Sequence, residues 1–123
     1  MSRFDSLPEF EKELKRLLKK YRTLHDDIEK LKQVLVVHPT GIGKNFTVIH
    51  AEKHLKIIKV RMACQTLRDR SLRVIYAYHP STVSSGSNGE QEQKIEFIEL
   101  YYKGDKENED RSRINEYLRS LQS

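Results

Sequence analysis

Four short runs rich in branched and aromatic residues constrain this chain more than any other feature: Phe46 to His50, Leu55 to Ala63, Leu72 to His79 and Lys94 to Lys103. Such residues suit a pleated, half-buried surface, so the runs predict strands. Their apolar residues do not alternate. Ile57 and Ile58 are neighbours, as are Val74, Ile75 and Tyr76, and Phe97 and Ile98. Both faces of the sheet must therefore be at least partly covered.

The cover comes from helices. Ser6-Leu7-Pro8-Glu9 has the form of a capping box and predicts a helix start. Phe10, Leu14, Leu17, Leu18 and Tyr21 then fall on one stripe of a 3.6-residue period. A second start at Thr23 leads to Ile28, Leu31, Val34 and Leu35, and Pro39 with Gly41 ends the run. The joint at Arg22-Thr23 makes an antiparallel hairpin. Lys106 to Leu121, with Ile114, Tyr117, Leu118 and Leu121 at helical spacing, predicts a closing helix. The expected fold is α+β in the order ααββββα. The N-terminal helical hairpin packs on a small antiparallel sheet of about four strands, and the C-terminal helix lies near the other face or an edge.

A length of 123 residues fits one domain with one core, here residues 1–123. Cys64, the one cysteine, has no disulfide partner within the chain and reads as a buried structural residue. With no signal pattern and no apolar run of about 20 residues, the cytosol is the expected compartment and no membrane contact is expected. The serine- and glycine-rich segment from Pro80 to Gln93 has no apolar anchor and predicts a mobile hairpin loop.

Charge is unevenly placed. The net charge is +5, yet Leu55 to His79 alone holds Lys56, Lys59, Arg61, Arg68, Arg70 and Arg73 against Asp69. The remainder balances at 17 basic and 17 acidic side chains. Concentrated positive charge points to a polyanion, nucleic acid first. The competing reading is six lysines and arginines scattered over solvent-facing sides.

His38-Pro-Thr-Gly-Ile-Gly-Lys-Asn45 imitates a phosphate loop, but Asn45 stands where a Ser or Thr must hold magnesium, and a helix precedes where a strand is required. It reads as a plain loop. His50 and His54 are four apart across a strand-turn-strand boundary, where that spacing does not converge on a metal. No metal and no cofactor are expected.

Lys59 and Arg61, two apart, share one face of a strand, and Arg73 opens the next strand in the same alternation as His79. Tyr101, Tyr102 and Lys103 end the last strand. Cations bind phosphate and rings stack on bases, which is the composition of a single-stranded RNA groove. Core packing competes for the tyrosines and is the better reading for Tyr76.

The runs Leu55-Lys-Ile-Ile-Lys-Val-Arg61, Leu72-Arg-Val-Ile-Tyr-Ala-Tyr78 and Ile95-Glu-Phe-Ile-Glu-Leu-Tyr-Tyr-Lys-Gly-Asp-Lys-Glu-Asn108, in the order helical hairpin, strands, terminal helix, resemble the RelE/ParE superfamily of bacterial toxin-antitoxin modules. The serine-rich loop departs from it. The resemblance implies a RelE-like toxin, a ribosome-dependent messenger-RNA endonuclease that inhibits translation without a metal. Lys59, Arg61, Arg73 and Lys103 would be its catalytic cations, with Lys106 as a second choice for the last. Lys56, Arg68, Arg70, His79, Tyr101 and Tyr102 would bind substrate. Lys59 serves as a base only if neighbouring cations lower its pKa, and His79 is the titratable alternative. The implied partners are a cognate antitoxin lying over Lys59, Arg61 and Arg73, and messenger RNA on the ribosome; a homodimer is compatible with it. Two other classes stay open: a ParE-like toxin that poisons DNA gyrase, and an inactive basic interaction or nucleic-acid-binding domain of the same fold.

Overall fold

The N-terminal residues carry the main correction to these expectations. The structure, a computed structural model that describes residues 2–82 and 92–122, opens with a strand, β1 (Ser2–Ser6). It continues through α1 (Pro8–Leu18), α2 (Leu24–Val37), β2 (Phe46–Glu52), β3 (Leu55–Cys64), β4 (Asp69–Thr82), β5 (Glu92–Tyr102) and α3 (Arg111–Ser120). The sheet has five strands in the order β1-β5-β4-β3-β2, and β1 runs parallel to β5. It is thus a mixed sheet, and a four-stranded antiparallel one is not found. β1 escapes local reading because Phe4 is its one apolar residue; its pairing partners, Gln93 to Phe97, lie about ninety positions away.

Strand pairing also displaces the expected capping box. Ser6 is paired with Phe97 and its Oγ bonds the Glu11 carboxylate, so Leu7 takes the N-cap position without a side-chain cap. Pro8 then opens α1, where its fixed φ and missing N–H are tolerated. Thr23 precedes α2 but spends its hydroxyl on Asp27 (3.0 Å) and Thr66 (2.7 Å), clamping the β3–β4 turn to the helix. The third helix begins later than expected, capped by Asp110, which accepts from Arg113 N at 3.1 Å.

Both faces of the sheet are covered. Phe10, Leu17, Ile28, Leu31 and Leu35 from the hairpin bury one face against Ile58, Val60, Val74, Tyr76 and Phe97, with Leu14 partly buried beside them. Fully burying such side chains contributes roughly 1.5–3 kcal/mol each. The opposite face packs Ile57, Ile75, Ala77 and Ile98 against Ile114 and Tyr117 of α3. Cys64 is buried. β1 covers β5 only as far as Phe97, leaving the next part of that strand's backbone without a strand neighbour on that side. Glu13 accepts from Leu100 N (3.1 Å) and Arg113 donates to Ile98 O (2.9 Å), while Arg113 and Glu13 form a two-pronged ion pair at 2.9 Å. Side chains thus satisfy the open edge and tie α3 to α1.

The segment expected to be a mobile loop is strand at both of its ends. Residues 80–82 extend β4 and residues 92–93 belong to β5, because the ladder carries pairing out to Thr82 and Glu92. Residues 83–91 lie outside the described residues. Among the described residues no helix is long and apolar enough to cross a membrane.

Candidate functional site

Cross-strand register assembles the basic residues into one row. Arg61 on β3 pairs with Arg73 on β4, which pairs in turn with Tyr101 on β5. The three side chains share the face that α3 partly covers. One step along the sheet, Lys59, Ile75 and Glu99 form the next row. Two arginines directly opposite each other repel. Neither forms an ion pair among the described residues, and paired guanidinium groups of this kind can bind an anion.

Arg73 is only 7% exposed. Among the described residues its hydrogen bonds use Nη1, toward the carbonyls of Arg70 and Leu72, and none uses Nε or Nη2. Burial first and the Arg61 charge second press its pKa below that of an ordinary guanidinium. It stays a cation regardless. Arg61 is exposed, so the pair has one buried and one solvent-facing member.

Lys59 is compensated. Its Nζ donates to Glu109 Oε1 at 3.0 Å, and Glu109, itself 8% exposed, also takes Arg111 at 2.6 Å. Burial opposes the Lys59 ammonium, but the Glu109 hydrogen bond and the nearby Tyr101 and Glu109 prevail and raise its pKa. For Glu109 burial acts upward, yet Lys59 and Arg111 hold the carboxyl below its usual range. Lys59 is therefore held protonated, the opposite of what a base requires. Glu99, fully buried, is the ion-pair partner of Lys106, whose Nζ bonds Oε2, while the backbone N of Asp110 bonds Oε1 at 2.8 Å.

The other sequence-predicted residues separate from this row. Lys56 alternates with Ile57 and falls on the opposite face, paired with Tyr78. Tyr102 lies on that opposite face too, its ring against Tyr21 with centroids 5.9 Å apart. Arg68 sits exposed in the β3–β4 turn at φ 57°, a left-handed conformation uncommon outside glycine, and Arg70 turns its guanidinium to the Arg61 carbonyl (3.0 Å). His79 shares the face of Arg73 but is six residues along the strand, roughly 20 Å away at about 3.3 Å per residue. There its Nε2 meets the Tyr117 hydroxyl at 2.7 Å, and that hydroxyl donates to Glu96 at 2.7 Å. Lys103 follows β5 with its N bonded to Ser71 O (2.9 Å), at the sheet end beside the row, and its side chain is exposed. The Tyr101 ring, 3% exposed, is buried and offers no face for a base to stack on.

Sequence reasoning passed over Glu99 and Glu109, because each is an acidic residue in an acidic-basic stretch and nothing local shows which lysine it meets. Reading the glutamate of Ile95-Glu-Phe-Ile-Glu99 as inward-facing would have required the bulge near Ile98 that shifts the register. Pro39 and Gly41 to Gly43 form a loop between α2 and β2, as read, with Tyr76 donating to Pro39 O at 2.9 Å. Comparison with protein-family models, with characterised proteins and with solved structures finds no match to this chain.

Proposed function

We propose that the arginine row holds a phosphate of single-stranded RNA and that the chain is a RelE-like toxin, a ribosome-dependent messenger-RNA endonuclease. The observation that carries the reading is Arg73, buried beside Arg61 with no ion pair among the described residues, Asp69 acting on it only at longer range. A phosphodiester supplies the missing negative charge, and the guanidinium fork matches two phosphoryl oxygens. In the reaction the ribose 2′-oxygen bonds to phosphorus and the bond to the 5′-oxygen breaks, leaving a 2′,3′-cyclic phosphate and a 5′-hydroxyl. Arg61 and Arg73 stabilise charge on the phosphoryl oxygens. Lys59, held protonated by Glu109, has the form of an acid for the departing 5′-oxygen, and water takes the proton from the 2′-hydroxyl.

One observation favours a second reading, a basic nucleic-acid-binding domain that does not cleave. Lys59 is raised rather than lowered in pKa and His79 stands roughly 20 Å from Arg73, so neither of the two expected bases serves the row, and the nearby carboxylates Glu99 and Glu109 are engaged in ion pairs. Controlled expression with translation, RNA cleavage and DNA damage response followed in the same cells separates the readings. RNA cleavage with arrested translation supports the nuclease; DNA damage without RNA cleavage replaces it with the gyrase-directed alternative; the absence of all three favours the inactive domain. A cognate antitoxin would cover Arg61 and Arg73 with an acidic segment, and co-purification with the product of a neighbouring gene tests that partner.

A further inference from the structure

Among the described residues one buried side-chain polar atom lacks a hydrogen-bond partner, the hydroxyl oxygen of Tyr101. Leaving such a group unmade is costly, so its presence asks for a reason. Tyr101 sits opposite Arg73 in the strand register, and the Lys59 ammonium acts on its hydroxyl. The acceptors nearby are already taken: Glu109 by Lys59 and Arg111, Glu99 by Lys106 and the Asp110 N–H. What the hydroxyl lacks is an oxygen to receive its proton.

We infer that the Tyr101 hydroxyl is a third ligand of the RNA phosphate held by Arg61 and Arg73, donating a hydrogen bond to a non-bridging phosphoryl oxygen. The inference rests on the reading of the arginine row as an RNA site and adds to it a donor at the floor of that row. Lys106 stands over the ring, its Nζ 5.1 Å from the centroid and its side chain 40% exposed. An incoming phosphate would therefore meet a cation there, one that stays tied to the buried Glu99 carboxylate. The tyrosine thereby acts through its hydroxyl and not by stacking, since its ring is enclosed.

Tyr101→Phe removes the hydroxyl and little else. Because the free protein gives that hydroxyl no acceptor, with only the Lys59 ammonium acting on it, the variant should melt at the same temperature or higher. Its affinity for a single-stranded RNA carrying 2′-O-methyl groups, which cannot be cleaved, should nonetheless fall by about tenfold, the scale of one hydrogen bond to a charged group. A lower melting temperature with unchanged RNA affinity would overturn the inference and make the hydroxyl structural. Wild-type protein that binds this RNA as tightly as Tyr101→Phe would overturn the inference alone, whereas wild-type protein that binds no RNA would remove the proposed function and the inference together.

Discussion

At the scale of single residues, the site is defined by which charges are compensated and which are not. Lys59 and Lys106 have buried carboxylates; Arg61 and Arg73 have none among the described residues. A buried charge without a partner destabilises, and replacing it by an apolar side chain of similar volume is often neutral or stabilising. Arg73→Met is therefore expected to leave the melting temperature unchanged or raise it, while abolishing phosphate binding by the row; a marked loss of thermal stability would assign Arg73 a structural role. His79 gives a pH dependence whose sign follows from its surroundings. Burial, then the charge of Lys94, lower its pKa from 6.5, with Glu96 opposing. The unfolded chain thus takes up a proton at higher pH than the folded one, so this contribution to stability is present above about pH 6.5 and is lost as pH falls through the folded value. Chemical denaturation between pH 7.5 and 5 should show that loss in the wild type and a flatter profile in His79→Gln.

At the scale of elements, the strands of the middle of the chain were legible and the first strand was not. Ile57-Ile58 and Val74-Ile75-Tyr76 announce burial on both faces because consecutive apolar side chains of a strand cannot all avoid water on one side. Phe4 between polar neighbours announces nothing, and only β5 makes a strand of it. Its ring stacks on Phe97 with centroids 6.1 Å apart. Phe4→Ala is expected to cost about 1–2 kcal/mol, less than a fully buried phenylalanine because Phe4 is half-buried, and to speed amide exchange in residues 93–97. Unchanged exchange there would mean that β1 adds little to the sheet. Arg113 is the corresponding tie for α3. Arg113→Ala strands the largely buried Glu13 carboxylate and the Ile98 carbonyl, so a loss on the order of 2–3 kcal/mol in denaturant titration is expected. A loss below about 0.5 kcal/mol would place the pair among ordinary surface contacts.

At the scale of the whole molecule, a mixed sheet between a helical hairpin and a single helix leaves one stretch of one face for function. α3 covers Ile57, Ile75 and Ala77, and at the end of that face stands the Arg61–Arg73–Tyr101 row, with Arg61 exposed and the other two buried. The alternation that put Lys59, Arg61 and Arg73 together was readable from spacing alone. The distance of His79, the opposite facing of Lys56 and Tyr102, and the carboxylates that hold Lys59 and Lys106 depend on register and on the packing of residues 103–110, which no local pattern encodes. Stabilisation of a phosphate by Arg61 and Arg73 during cleavage is read out by purified protein on programmed ribosomes, with cleavage mapped on the messenger. Wild-type protein should cut the messenger, Arg61→Ala and Arg73→Ala should each slow the cut by at least about 100-fold, and Arg73→Lys should recover part of the rate because it keeps the charge but loses the fork. Toxicity in cells with no messenger cut on the ribosome, and undiminished by Arg73→Ala, would contradict the account.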